Sequence, residues 1–178
     1  MAPDLESARL FYTPLSLSHL SQSYVNWLND PVVCKYLETG GNYTFEKLRA
    51  FLADVEKKEI LFWAIHKKQD SKHIGNIKID PVDTKNGLGE YGIMMGDRSE
   101  WGCGYAWEAS TTIIQYCFET LNIRKMNLGV VEENFAAVNL YKKLGFIQEG
   151  TYKYHFFDGL RYLNSLRMSL FNGNYSYT

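Results

Sequence analysis

Apolar residues recur along the chain with two periods, one near 3.6 and one of 2, and the order in which they alternate predicts the elements. Residues 8–13 read as a short strand that breaks at Pro14. Leu20, Tyr24, Trp27 and Leu28 fall at helical spacing, so a helix is predicted over 19–29 with Ser18 as its cap. It ends at Asp30-Pro31, because a residue before proline avoids the α region. Thr44 opens a second helix that runs to about Lys58, with Leu48, Phe51, Leu52 and Val55 as its apolar stripe. Residues 60–66 and 73–80 form an antiparallel pair across the polar turn 67–72. Residues 88–95 make a third sheet segment, in which Gly89 and Gly92 mark a bulge. A long helix over 104–121, a strand over 125–131 and a helix over 134–144 follow. The final hairpin pairs 146–157 with 160–170 across Asp158-Gly159, a dipeptide suited to a tight primed turn. The order βαα-βββ-α-β-α-ββ predicts an α/β (α+β) fold, a mixed sheet covered by helices. No repeat or linker interrupts it, so residues 1–178 are read as a single domain ending in a short flexible tail.

Composition narrows the partners. The chain is 46% hydrophobic, enough at this length for a core that needs no disulfide or metal staple. Its 19 basic and 20 acidic side chains nearly cancel, which removes any long-range pull toward nucleic acid or an anionic membrane. Cys34, Cys103 and Cys117 have neither zinc spacing nor a Cys-x-x-Cys pair, so reduced thiols in a cytoplasmic protein without a metal are expected. No basic segment followed by an apolar run is visible at the start, so no signal peptide is expected, and no apolar run approaches the roughly 18 residues of a membrane span.

The candidate chemistry begins at Trp101-Gly102-Cys103-Gly104, between a strand and a helix start. Two glycines let successive backbone N–H groups converge, and the helix end adds partial positive charge, so this turn can hold a phosphate. It is neither a Walker loop nor a dinucleotide fingerprint, and an ordinary glycine turn is the competing reading. Further on, Asn134 and Tyr141 stand seven positions apart, two turns or about 10.5 Å along one helix face. Gly145 closes that helix as a left-handed cap.

Taken together, Trp101 through Ala106 with Glu108-Ala109, Asn134 through Phe146, and Gly89 through Ile93 resemble three motifs of the GNAT superfamily of acyl-CoA-dependent N-acetyltransferases. The resemblance spans nearly the whole chain. It implies a mostly antiparallel sheet of about seven strands, four flanking helices and a cofactor cleft where strands 88–95 and 125–131 splay. Backbone groups of Ile93, Met94 and Met95 would bind the pantetheine arm of acetyl-CoA, and Trp101, Gly102, Cys103, Gly104, Tyr105 and Ala106 its pyrophosphate. Asn134 would position the cofactor, although asparagine is equally a helix cap. Arg98, Lys142 and Lys143 are candidates for the adenosine phosphate. Two positions depart from the family pattern: Ser99 replaces a frequent Gln or Arg, and Cys103 a frequent basic or amide residue. Main-chain donation survives both changes.

Acyl transfer needs a neutral amine, donors for the oxyanion and a proton for the departing thiolate. Tyr141 matches the family's acid, and a phenol near pKa ~10 keeps its proton at neutral pH. Glu90 is the candidate base, directly or through water; orienting substrate or pairing with a basic neighbour is its other role. His155 is an alternative base within an aromatic hairpin, while His66 and His73 are expected in solvent. Cys103 lacks the partners of a nucleophile. Trp27, Asn29 and Tyr43, with His155, line the expected acceptor pocket together with Tyr36-Leu37-Glu38 and the loop 39–43. The run from Trp27 to Pro31 and residues 62–80 look like members acting on nucleotide-linked amino sugars in surface-polysaccharide pathways. Ribosomal-protein N-terminal acetyltransferases share the layout, but near-neutral charge disfavours a partner as charged as the ribosome, so the amino sugar, a small-molecule amine, leads over a peptide N-terminus. Acetyl-CoA is the expected donor, and space near Met94 and Met95 can admit a longer acyl chain. A non-catalytic CoA-binding or interaction protein and a hairpin-mediated homodimer stay open.

Overall fold

The structure, a computed structural model, describes residues 2–38, 41–58 and 60–176. Thr39 and Gly40 of the expected acceptor loop, and the last two residues of the expected tail, lie outside them. The strands are β1 (Leu5–Glu6), β2 (Leu10–Pro14), β3 (Leu61–Lys67), β4 (His73–Asp83), β5 (Leu88–Met95), β6 (Lys125–Val131), β7 (Ile147–Phe157) and β8 (Tyr162–Phe171). The α-helices are α1 (Gln22–Asn29), α2 (Pro31–Cys34), α3 (Phe45–Lys58), α4 (Tyr105–Glu119) and α5 (Phe135–Lys143). Strand order is β1-β2-β3-β4-β5-β6-β8-β7. The β5–β6 pair is parallel, whereas β2–β3, β3–β4, β6–β8 and β7–β8 are antiparallel. The expected mixed, mostly antiparallel class is therefore observed. The elements beyond the expected seven strands and four helices are β1 and α2, both too short to leave a periodic pattern. Among the described residues, no helix is long and apolar enough to cross a membrane.

The chain forms two compact units, the first comprising residues 1–80 and 92–112. Its core packs Tyr24, Trp27 and Leu28 of α1 with Leu48, Leu52 and Val55 of α3. The serine-rich approach to α1 carries competing caps, and the expected helix from residue 19 divides accordingly. Ser16 caps a single 3-10 turn, Leu17–His19, and Ser21 then caps α1 by accepting the Tyr24 N–H. Asp30 ends α1 as expected, yet its carboxylate accepts the Val32 N–H at 2.8 Å and Pro31 opens α2. Proline suits a first helical position, where its missing N–H has no partner to lose.

His66 and His73 depart from the solvent position expected of them. A register shift between Ile65 and His66 places the two imidazoles against each other, ring centroids 5.1 Å apart. His19 joins them, its Nε2 3.2 Å from that of His66, and the Trp27 indole meets His73 edge-on at 4.9 Å. Desolvation, reinforced at His19 by the neighbouring His66, lowers the pKa of both His19 and His66. Desolvation brings His73 down to about 4.

The second unit comprises residues 81–91 and 113–178. Strand β6 pairs along its whole length with β8, from Lys125↔Phe171 to Val131↔Ser165. Gly89 stays in register with Met126 on the β6 side. Strand β7 is irregular at Gln148/Gly150 and at Tyr152/Phe156, where Tyr154 adopts φ +51°. The β7–β8 connection is also longer than a two-residue primed turn. It spans Asp158–Arg161, with the Asp158 carboxylate accepting the N–H groups of Leu160 and Arg161 at 2.9 and 2.8 Å. An Asx-type turn of this kind is what a leading aspartate favours.

Candidate active site

In the first unit, β5 delivers the chain into a turn with no room for side chains at its start. A Cβ on Gly96 would lie 2.2 Å from ring atoms of Trp27, so only glycine allows the chain to pass there. Asp97 then accepts the Ser99 N–H and hydroxyl, which shapes the short turn Arg98–Glu100. Burial works to raise the Asp97 carboxyl, but hydrogen bonds from Lys72 and Ser99 outweigh it and hold the group below the usual carboxylate range. Glu100 takes Lys67 at 2.8 Å.

The glycine loop follows. Gly102 and Gly104 sit at φ +78° and +80°, the left-handed region that side chains disfavour. The exposed Trp101 donates its indole N–H to the Met95 carbonyl at 2.8 Å, tying the loop to the end of β5. Glu108 N–H closes the first helical bond onto Gly104 O, so the amides of Tyr105 and Ala106 precede the helical ladder. Those amides, two left-handed glycines and a helix of four turns form a cradle that fits a phosphate group. Cys103 is exposed, and its carbonyl accepts from Arg9 Nη1 at 3.0 Å.

Sequence reasoning missed Arg9. It lies in the three-residue turn between β1 and β2, and no spacing rule connects position 9 with 103–108. Its guanidinium pairs with Glu108 at 2.7 Å and covers the Tyr105 ring at 4.5 Å. Burial works to raise the Glu108 carboxyl, but hydrogen bonds from the Arg9 backbone, Ser7 and the Arg9 side chain outweigh it and hold the group low. Arg98, a candidate for the adenosine phosphate, instead pairs with Asp30 at 3.2 Å.

The acceptor residues of this unit are drawn into its framework. Trp27 is buried in the core. The Asn29 amide donates to the Tyr43 carbonyl and accepts the Tyr43 N–H, both at 2.8 Å. It therefore braces the segment that carries Tyr43, whose side chain packs partly buried against the same core.

In the second unit, Asn134 caps α5 by accepting the Ala137 N–H at 3.3 Å. Seven residues on, Tyr141 is buried, with Tyr91 meeting it edge-on at 5.7 Å and Phe146 at 5.8 Å. Desolvation pushes its phenol up to about 12. Among the described residues, no hydrogen-bond partner occupies the hydroxyl. Lys143 lies exposed in the last turn of α5.

Glu90 is the last β5 residue registered with β6, opposite Asn127. Both of its oxygens are taken by Arg167 of β8, at 2.7 and 2.8 Å. This bidentate geometry is the strongest form of such a pair, and Arg167 is a second residue that sequence reasoning missed. A Cβ on Gly129 would stand 3.1 Å from Arg167 Nη1, so glycine there leaves space for the guanidinium. His155 is exposed on β7, its ring 5.1 Å from Tyr152. Among the described residues, no group of three His, Cys, Asp or Glu side chains is placed to hold a metal ion.

A phosphate cradle between a sheet strand and a long helix, on a mixed sheet of this order, defines an acyl-CoA-type transferase fold. Residues 9–147 match the Acetyltransferase (GNAT) domain, and the chain belongs to that family. Spermidine N(1)-acetyltransferase of Escherichia coli (strain K12) is 31% identical over 106 residues, 60% of this chain and 56% of that protein. The chain thus spans little more than half the length of that relative. Spermidine N-acetyltransferase from Vibrio cholerae, solved with CoA and spermine, has a TM-score of 0.84 at 23% identity, over 93% of this chain and 97% of that one. Ribosomal-protein-S5-alanine acetyltransferase from Vibrio fischeri has a TM-score of 0.83 at 16% identity, over 97% and 98%. Likeness at these identities establishes the fold.

Proposed function

We propose that the protein is an N-acetyltransferase that moves an acetyl group from acetyl-CoA to a primary amine. The observation that carries this reading is the loop Trp101–Gly104 at the head of α4, inside the stretch that matches the family. Its two left-handed glycines and the start of the helix hold the pyrophosphate, and the backbone of Ile93, Met94 and Met95 receives the pantetheine arm. Acetyl-CoA supplies the activated thioester. The acceptor nitrogen forms the new C–N bond as the C–S bond breaks, and Tyr141 delivers the proton that the departing sulfur takes up. Its hydroxyl, without a partner among the described residues, keeps its proton at neutral pH and so has one to give. Of the two roles open to Glu90, the bidentate pair with Arg167 favours charge positioning, with water taking the proton from the amine.

The acceptor is a small aliphatic amine of the polyamine class. Support for it comes from the Escherichia coli relative, a spermidine N(1)-acetyltransferase. The amino-sugar acceptor preferred from sequence and the peptide N-terminus are the competing arms of the test. Thiol release from acetyl-CoA is measured with spermidine and spermine, with nucleotide-linked amino sugars, and with short peptides bearing a free N-terminus. Turnover is expected with the polyamines and lowered about 100-fold in Tyr141→Phe. Turnover only with an amino sugar or a peptide overturns the acceptor. Binding of acetyl-CoA without turnover on any amine overturns the enzymatic reading in favour of a CoA-binding protein.

A further inference from the structure

The segment Trp101–Gly104 contains no basic residue, so whatever positive side-chain charge it uses must come from elsewhere in the chain. The turn Ser7–Arg9 reaches it. Ser7 Oγ and the Arg9 N–H both donate to Glu108 Oε1 at 2.7 Å, and Arg9 Nε donates to Oε2 at 2.7 Å. Arg9 Nη1 donates to the Cys103 carbonyl at 3.0 Å, which sets the peptide between the two left-handed glycines. The plane of the guanidinium is fixed by its position over the Tyr105 ring. Nη2 is left over, 3.5 Å from where a Cβ of Gly104 would stand, and half of the Arg9 side chain is open to solvent.

From this juxtaposition we infer that Arg9 is the cation of the glycine loop. It sets the loop through Cys103 and Glu108, and its Nη2 faces the diphosphate of CoA. The inference rests on the acetyl-CoA reading above. Glu108 would otherwise bring a negative charge into the first turn of α4, opposing an anion bound there. Arg9 and Ser7 neutralise it, so the hairpin β1–β2 has a chemical purpose beyond its two-residue strand. A guanidinium suits this task better than an ammonium, because its planar fork engages a carboxylate, a carbonyl and a phosphate oxygen at once.

The test compares wild type, Arg9→Gln and Arg9→Lys. CoA affinity is measured by calorimetry, KM and kcat by thiol release, and folding by circular dichroism melts. Arg9→Gln is expected to weaken CoA at least tenfold and to raise KM for acetyl-CoA to match. The acceptor KM should stay put, with turnover recovered at saturating acetyl-CoA. Arg9→Lys, which keeps the charge without the fork, is expected to fall between the two and carries the test should Arg9→Gln melt too low. Wild-type CoA affinity in both variants overturns the assignment while leaving the acetyl-CoA reading intact. Failure of the wild type to bind CoA overturns both.

Discussion

Burial favours the neutral forms of Tyr141 and His73, and the consequences differ because one is an acid and the other a base. At Tyr141 the phenol is pushed up to about 12, so it keeps its proton throughout the physiological range. At His73 the imidazole falls from 6.5 to about 4, with His19 and His66 adding to the desolvation, while hydrogen bonds to Asn76 and the Gly75 carbonyl partly oppose it. A depressed folded-state value contributes stability that is complete above pH 6.5 and is lost as pH falls through about 4. The melting temperature is therefore expected to fall between these values, and His73→Gln should flatten that part of the profile. The difference amounts to roughly 1–3 kcal/mol at the acid end. An identical acid limb in variant and wild type would dismiss the imidazole as its source. The sequence offered no sign of this, since His66 and His73 flank a polar turn. Only the shift in β3–β4 register turns them inward.

At the scale of elements, β5 and the turn behind it show how close approach selects residues. Gly75 of β4 meets the Met94 carbonyl, which would stand 2.4 Å from an added Cβ, and Gly96 meets the Trp27 ring. Backbone and a buried indole cannot give way cheaply, so Gly96→Ala is expected to cost about 3 kcal/mol or more. Gly173→Ala, with nothing within 4 Å, is the control and should change stability by less than about 0.5 kcal/mol. The midpoints of urea unfolding decide between the two. Long elements with clear periods, α3, α4 and β8 among them, were legible in the sequence to within a few residues. The caps around α1 were not, because Ser16, Ser18 and Ser21 offer similar side chains, and tertiary packing selects among them.

For the whole molecule, near-zero net charge is compatible with an anionic cofactor, because main-chain amides at a helix start can hold a phosphate without a net basic charge. Binding to the folded state alone stabilises it by mass action, about 2.7 kcal/mol at a ligand concentration of 100 times Kd. For a chain of this length that corresponds to a rise in melting temperature of roughly 5–10 °C. Acetyl-CoA is expected to produce it in a scanning melt, and an equal concentration of pantetheine, which lacks the diphosphate, to produce far less. Equal shifts from both would remove the loop from the binding account.

The sequence by itself determined the order of the longer elements, the glycine loop and the helix that Asn134 caps and that carries Tyr141. These depend on periodicity and backbone freedom, which are local properties. Tertiary structure alone decided which charges meet. Glu90 finds Arg167 across 77 positions, and Arg9 finds Glu108 across 99. His19 finds His66 across 47. The first depends on strand register, which a shift of one residue would break, and the others on how a turn packs against a helix or a strand.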